Sequence, residues 1–507
     1  MADNRNQKLL RAYELRRQSF TVRPEAAMMD DSGAVSPPAG DGDLPYLTEE
    51  ALDYLMREAA ALPAEVDAAG LVSDSSVGRS EYLAALERVR LEFNADSEKL
   101  TESLMAPMDF ERDAATLPPE NFRFPAWSAD LTPGSFSYQV ENHLFETWGD
   151  LKGWIVNCGQ TKLPNVALAN RARATQNFVW HDKVPSRYEY PLVNPDPSKP
   201  LQVALFGDFG TGLVHSRYIA RQLAALQMPY AFHLGDIYYA GRKHEFLEYF
   251  REPLRPMHEH GKTQFFNLSG NHEQFSGSDW YWDDIRFRRS TYNHQQEGSY
   301  FRLSNDQFQI IGLDTNSLAL EQYDNAILQK WLVDALREGR DKGRTNILLT
   351  SENPYEYVDG PRLTHGPKTM FKDLQKAAGR IFEDQLIDLW FWCHVHYATF
   401  NEPAPELGYT FIGSCIGHGG YPHGRKSRPS KAKFIRWVET APRFPSWTKV
   451  RQDMGNNGFC LMDLASDHVK LTYRDWMGYR RCVANIARDA QGRLRVDSVE
   501  EFSEERT

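Results

Sequence analysis

Short apolar runs that break off into Gly-Asp or Gly-Asn dominate the hydrophobic pattern from residue 201 onward. Leu201–Asp208 reads LQVALFGD and continues into Phe209-Gly210; Ala231–Asp236 ends in Gly-Asp; Gln264–Asn271 ends in Gly-Asn, followed by His272; Leu389–His396 ends in Cys-His-Val-His. Unbroken apolar runs bounded by glycine read as strands buried on both faces. The pattern predicts a strand over 201–207, a helix near 214–227, a strand over 230–235, a helix near 243–252 and a strand over 263–268. Such alternation implies parallel pairing through crossover helices. Residues 298–304 and 307–314 predict an antiparallel hairpin around Ser304-Asn305-Asp306, and a helix over 323–338 leads to a strand over 345–350. Strands over 388–393, 408–413, 458–463 and 468–474 are expected to complete a second sheet. The expected fold class is α/β, two sheets face to face with helices outside.

Ahead of this domain the pattern is helical. Residues Asn6–Arg17 predict a short helix with Leu9, Leu10 and Tyr13 on one side, and residues 30–45, rich in Asp, Gly, Ser and Pro, read as a linker. Thr48 is placed to cap a helix that runs to about Leu62 and stops at Pro63. Ser80 opens another, in which Tyr82, Leu86, Val89 and Phe93 share one face. That face either packs on the body of the molecule or serves as a docking or oligomerisation surface. Residues 121–195 carry many aromatics and prolines, Trp127, Phe136, Tyr138, Phe145, Trp148, Trp154 and Trp180 among the former. They are expected to cover one edge of the main domain, with the aromatics serving as core. The domain reading is an acidic helical extension over 1–120, a covering region over 121–200, the main domain over 201–480 and a C-terminal tail over 481–507.

Composition narrows the classes of function. A chain of 507 residues exceeds the usual size of a single core. Residues 1–120 hold 24 acidic against 12 basic side chains, whereas the rest is balanced at 45 against 46, so the net charge of −11 originates in the extension. A general nucleic-acid binder shows a basic balance instead. The five cysteines are scattered without a CxxC pair, which argues against a disulfide framework or a structural zinc site. No apolar stretch approaches the roughly 18 residues of a membrane span. The charged N-terminus lacks the apolar region of a secretory signal, so a cytoplasmic location is expected.

Open α/β sheets place their sites at the carboxyl ends of strands, which favours one pocket shared by Asp208, Asp236, Asn271, His394 and His396. Hard oxygens with imidazoles suit iron, manganese or zinc, and two adjacent metals need a bridging carboxylate. The segment GDFGTG at 207–212 is no nucleotide-binding loop, since it lacks the Lys-Ser/Thr of a P-loop and the GxGxxG order.

In their order, GDFG, GDIYY, GNHE and CHVH resemble the motifs of the calcineurin-like metallophosphoesterase superfamily, closest to the purple acid phosphatase pattern, over about residues 201–475. The resemblance implies a four-layer α/β/β/α sandwich holding two metal ions, iron with iron, manganese or zinc. It also implies hydrolysis of a phosphomonoester or phosphodiester by a metal-bound hydroxide. Carried over by position, Asp208 and His396 hold the first metal, Asp236 bridges, and Asn271 and His394 hold the second. Many members have Asp-x-His in the first motif, where this chain has Gly210, so a replacement ligand is needed. Tyr239, three residues beyond Asp236, is similar to the iron-binding tyrosine of purple acid phosphatases; otherwise it is a packing aromatic.

At the fourth motif Ile347–Pro354 reads ILLTSENP, so Glu352 stands where the family has histidine, either as a carboxylate ligand or facing solvent. The resemblance makes His272 the candidate for phosphate binding or leaving-group protonation, positioned by Asp236 or Glu273. His365, in LTHGP, is similar to a further substrate-side histidine, or is an ordinary loop residue. After Ile416–Gly424, Arg425, Lys426, Arg428, Lys431, Lys433 and Arg436 either attract a polyanionic substrate or form a solvated loop. The implied partner is a phosphorylated small molecule or another phosphoester, with no membrane or nucleic acid, and with oligomerisation through the N-terminal helices left open. The competing reading is a metal-binding scaffold or interaction protein with little or no turnover.

Overall fold

A computed structural model describes residues 49–61, 79–95, 154–181, 188–259, 262–292, 294–318, 326–355, 384–429, 432–443, 454–490 and 492–503. In chain order its strands are β1 (Glu189–Pro191), β2 (Leu201–Phe206), β3 (Tyr230–His233), β4 (Gln264–Asn267), β5 (Phe301–Ser304), β6 (Phe308–Leu313), β7 (Thr345–Thr350) and β8 (Leu389–Trp392). They continue as β9 (Ala398–Asn401), β10 (Ile412–Ile416), β11 (Ile435–Val438), β12 (Gly458–Leu464), β13 (His468–Asp475), β14 (Arg480–Arg488) and β15 (Leu494–Glu501). One sheet has the order β1-β5-β6-β7-β8-β10-β9-β11 and the other β15-β14-β13-β12-β2-β3-β4.

Within the second sheet β2, β3 and β4 pair in parallel, as β6, β7, β8 and β10 do in the first. The hairpin around Asn305 forms as the pattern predicts, with β5 antiparallel to β6. Burial along β2 shows the layering. Val203 and Leu205 enter a core shared with Phe301, Ile310, Ile347 and Leu389 of the facing sheet. Ala204 and Phe206 enter a second core, with Ile219 and Leu223 of the helix Val214–Leu226. The period of two in side-chain direction thus feeds two separate cores, and the fold is mixed α/β with two multi-strand sheets and helices packed outside.

Three expectations change. The strands at 458–463 and 468–474 do not extend the sheet of β8 and β10; β12 pairs antiparallel with β2 from Cys460↔Leu205 to Leu464↔Leu201, and β13 follows it. Local periodicity identifies a strand but carries no information on which open edge it closes, and the free edge here belonged to β2. Residues 481–507 are not a plain tail, because β14 and β15 extend the same sheet beyond β13. Cys482, Ala484 and Ile486 alternate into the inter-sheet core, while β15 is an outer strand with mostly polar, half-exposed positions. The helix expected to end near 252 continues through Glu252–Glu259 with Pro256 inside it.

The extension forms helices at Glu49–Ala61 and Arg79–Ala95, close to the residues the capping signals indicate. Tyr82, Leu86 and Val89 are buried on the body of the molecule, in a cluster with Leu52, Leu55, Trp154, Tyr238 and Tyr421. From the covering region, β1 pairs in parallel with β5 at one edge of its sheet. The segment at 6–17, the linker at 30–45, Trp127, Phe136, Tyr138, Phe145, Trp148 and His365 lie outside the described residues. Among the described residues no helix is long and apolar enough to cross a membrane.

Candidate metal centre

The loops that leave β2, β3, β4, β7 and β8 at their carboxyl ends meet between the two sheets. Asp208 and Asp236 are fully buried there, with the Cys393 thiol below them; one ligand atom from each lies within 4.8 Å of the other two. Asp208 Oδ1 accepts a hydrogen bond from the Tyr238 hydroxyl at 2.9 Å and lies 3.4 Å from His396 Nε2. Its Oδ2 accepts the His394 backbone N–H at 2.7 Å. Asp236 Oδ1 accepts the His272 backbone N–H at 3.1 Å, and Oδ2 lies 3.5 Å from His394 Nδ1. The Asn271 amide sits 3.0 Å from His394 Nδ1; with its nitrogen turned inward it donates to both Asp236 carboxylate oxygens, at 3.3 and 3.2 Å.

The backbone is bent to achieve this. Asp208, Asp236, His394 and His396 have φ of 53°, 66°, 72° and 43°. Residues with a Cβ occupy the left-handed region at a cost of order 1–3 kcal/mol when the surroundings over-determine it, and such positions cluster at functional sites. Close approach is secured by glycine at the points where a side chain has no room. A Cβ at Gly270 would stand 1.9 Å from Asp236 Oδ1, and one at Gly417 would stand 2.6 Å from Asp208 Oδ2.

Electrostatics follow from burial and proximity. Burial raises the Asp208 carboxyl above its ordinary range. Burial acts in the same sense on Asp236, but His272 and His394 together outweigh it and hold that carboxyl low. Glu273 is pushed well above the usual carboxylate range by burial and then by Asp236. Burial lowers His272 to about 4. Its Nδ1 lies 2.7 Å from the Tyr239 carbonyl, which can only accept, so Nδ1 carries the proton and Nε2 is left as the other ring nitrogen.

The structure turns Tyr238 toward Asp208 and His396. The Tyr238 hydroxyl meets His396 Nε2 as well as Asp208, and the rings of Tyr238 and Tyr239 both meet Trp154 edge-on, 6.0 and 5.4 Å away, in the cluster with the N-terminal helices. Spacing from Asp236 gives the loop; only the backbone path decides where each of two consecutive tyrosines points. Glu352 comes to the rim, one-fifth exposed, with Oε2 4.0 Å from His394 Nε2. Of the basic run after residue 424, Arg428 pairs with Glu501 and Arg436 with Glu402, so two of its charges are already matched.

Two carboxylates hold the ligand loops: Glu273, expected from the sequence only as a residue positioning His272, and Glu245, which pattern reading passed over. Glu273 accepts the Ile237 N–H and the Gly270 N–H, both at 2.7 Å, and so ties the second motif to the third. Glu245 accepts the N–H groups of Tyr239, Ala240 and Arg242, the last two at 3.1 and 2.7 Å. A buried acid following Gly-Arg-Lys-His was the available signal, and only three converging backbone donors make it recognisable.

Fold and site together define a two-sheet α/β domain with a carboxylate–imidazole cluster at the carboxyl ends of its strands. Residues 201–398 match the family model of the calcineurin-like phosphoesterases, and this stretch of the chain is a domain of that family. No curated protein matches the chain. Among solved structures it is similar to a purple acid phosphatase from seeds of yellow lupin, Lupinus luteus, at 16% identity and a TM-score of 0.43, over 59% of this chain and 56% of that one. It is also similar to GAP50, described as the anchor in the inner membrane complex of Plasmodium, at 13% identity and 0.40, over 61% and 90%. A third likeness is to Vps29 of Chaetomium thermophilum, at 12% identity and 0.22, over 60% and 97%. The chain thus spans a little over half the length of the lupin protein.

Proposed function

We propose that this chain hydrolyses phosphate esters, monoesters or diesters, at a centre of two metal ions. Asp208 and His396 would hold one, Asn271 and His394 the other, and Asp236 both. The observation that carries the reading is the convergence of these five residues, four of them in a costly backbone region, from the strand ends of two facing sheets. Carboxylates, an amide oxygen and imidazoles form a donor set that fits iron, manganese or zinc. When bound, such ions neutralise phosphoryl charge and lower the pKa of coordinated water.

The chain's own residues do the rest. Tyr238, with its hydroxyl on Asp208 and His396, supplies the phenol that the Gly210 position lacks. Glu352 completes the His394 side from the rim. His272 is held by its Nδ1–H on the Tyr239 carbonyl, which leaves Nε2 for the substrate's phosphoryl or leaving-group oxygen. His365 is kept as a second substrate-side candidate.

The test is metal analysis combined with hydrolysis of a chromogenic phosphate ester in the presence of iron and manganese. Wild type should bind two ions and turn over, and Asp208→Asn should lose both. Equal, slow hydrolysis by wild type and Asp208→Asn with metal bound ends the enzyme reading. It leaves a metal-holding interaction protein, a reading favoured by the glutamate at position 352.

A further inference from the structure

Trp154 lies outside the family-matched stretch, yet it stands against the centre of the site. Its ring meets those of Tyr238, Tyr239, His272 and Tyr421 edge-on, with centroids 6.0, 5.4, 5.4 and 5.9 Å away. Its Nε1 donates to the Tyr421 hydroxyl at 3.2 Å. Three of these rings are one step from the proposed ligands. The Tyr238 hydroxyl bonds Asp208; the Tyr421 ring is 4.2 Å from that of His396 and its N–H donates to the Asp208 carbonyl; His272 follows Asn271. Four residues on, Cys158 Sγ donates at 3.1 Å to the Tyr239 carbonyl that also receives His272 Nδ1. Behind Trp154 the same apolar cluster takes in Leu52, Leu55, Tyr82, Leu86 and Val89 of the two N-terminal helices.

We infer that Trp154 is a positioning residue that fixes the His272 and Tyr421 rings against the metal-ligand loops, so that the N-terminal helices build one wall of the site. Edge-on aromatic contacts are directional, and each ring here is in contact with at least one other. Removing the indole leaves a void bounded by four rings, and neighbours of such a void relax only partly. Displacement of a catalytic group by about 1 Å costs on the order of 100-fold in rate. The alternative is that Trp154 merely adds stability, in which case its loss resembles any other core truncation.

The kinetic arm rests on the phosphoesterase reading; a second arm does not. Full-length protein with 15N-labelled histidine is compared as wild type, Trp154→Ala, Trp154→Phe and Leu471→Ala, the last in the inter-sheet core. The His272 Nδ1–H resonance, assigned by its loss in His272→Gln, reports whether the ring stays on the Tyr239 carbonyl. Trp154→Ala is expected to keep its metal, lose that resonance to solvent exchange and drop kcat 10- to 100-fold with KM within about threefold. Trp154→Phe should recover most of both, while Leu471→Ala melts earlier yet keeps the resonance and kcat.

A Trp154→Ala protein with the resonance and kcat of wild type overturns the inference, as does a kcat loss of the same size in Leu471→Ala. If wild type itself shows no turnover, the phosphoesterase reading fails, and the resonance alone decides: lost in Trp154→Ala it supports the positioning role, retained it refutes it. Should Trp154→Ala not fold, Trp154→Leu decides, since it fills more of the space but has no ring and no donor to Tyr421: faster exchange of the His272 proton than in wild type supports the inference and an unchanged rate overturns it.

Discussion

Replacing Gly270 by alanine tests the placement of the central carboxylate with a single methyl group. Gly270 has φ of −101° and ψ of −172°, which any residue adopts, so alanine meets no backbone penalty. The whole effect comes from contact: the new Cβ would lie 1.9 Å from Asp236 Oδ1 and 2.5 Å from its Cγ and its backbone nitrogen. Restoring ordinary contact requires a shift of about 1.5 Å between the two segments. Neither yields freely, because Glu273 bonds both the Gly270 N–H and the Ile237 N–H. Overpacking of this kind costs about 1–3 kcal/mol. A displacement beyond 1 Å at a reacting centre should lower turnover on the order of 100-fold or more. The assay is metal content by mass spectrometry after equilibration, with kcat and a denaturant melt on the same samples. Gly343→Ala is the control: it has φ of 69° and nothing within 4 Å of its Cβ, so it should lose about 1 kcal/mol from backbone strain alone and keep metal and kcat. If Gly270→Ala binds metal and turns over like wild type, Asp236 is not held where the geometry requires.

Other outcomes can be stated more briefly. In iron-loaded protein a phenolate-to-metal absorption band should vanish in Tyr238→Phe and survive in Tyr239→Phe; the reverse result would restore the residue that motif spacing favours. His258 and His294 are buried beside Arg288, and burial followed by that cation lowers both, His294 to about 4. Each binds its proton more readily when unfolded, so their contribution is present above about pH 6.5 and is lost as pH falls below it. Denaturant melts between pH 6.5 and 5 should lose up to about 2 kcal/mol per histidine, a slope that His258→Gln and His294→Gln flatten. Arg288→Met leaves the buried Asp284 with Arg251 at 3.0 Å as its remaining partner in the cluster and should cost about 3 kcal/mol by the same melts; a change below 0.5 kcal/mol, a limit set by ordinary surface substitutions, refutes it.

What the chain discloses in one dimension depends on how local the determinant is. Asp208, Asp236 and Asn271 are legible because an apolar run and the glycine beside the ligand are contiguous, and the structure brings those strand ends together. The partner of β2 is not legible, since nothing near residues 458–464 records that they will lie beside residues 201–205. β15 reads as a tail because an outer strand facing solvent needs few apolar positions. The choice between Tyr238 and Tyr239 turns on one residue of backbone rotation. Trp154 was legible as a core aromatic, but its contact with Tyr421 joins positions 267 residues apart.

The antiparallel ladder between β2 and β12 bears on how this protein can be cut or rearranged. The family-matched stretch ends at residue 398, yet β2, its first strand, has β3 on one side and β12 on the other. A fragment stopping at 398 would bare the whole outer edge of a strand buried on both faces and would lack Gly417, whose absent side chain makes room for Asp208. Exposed apolar edges of this kind recruit other chains. The smallest piece able to stand alone must therefore run past residue 464, and a circular permutation that opened the chain between 398 and 458 would have to return that closing strand to its place.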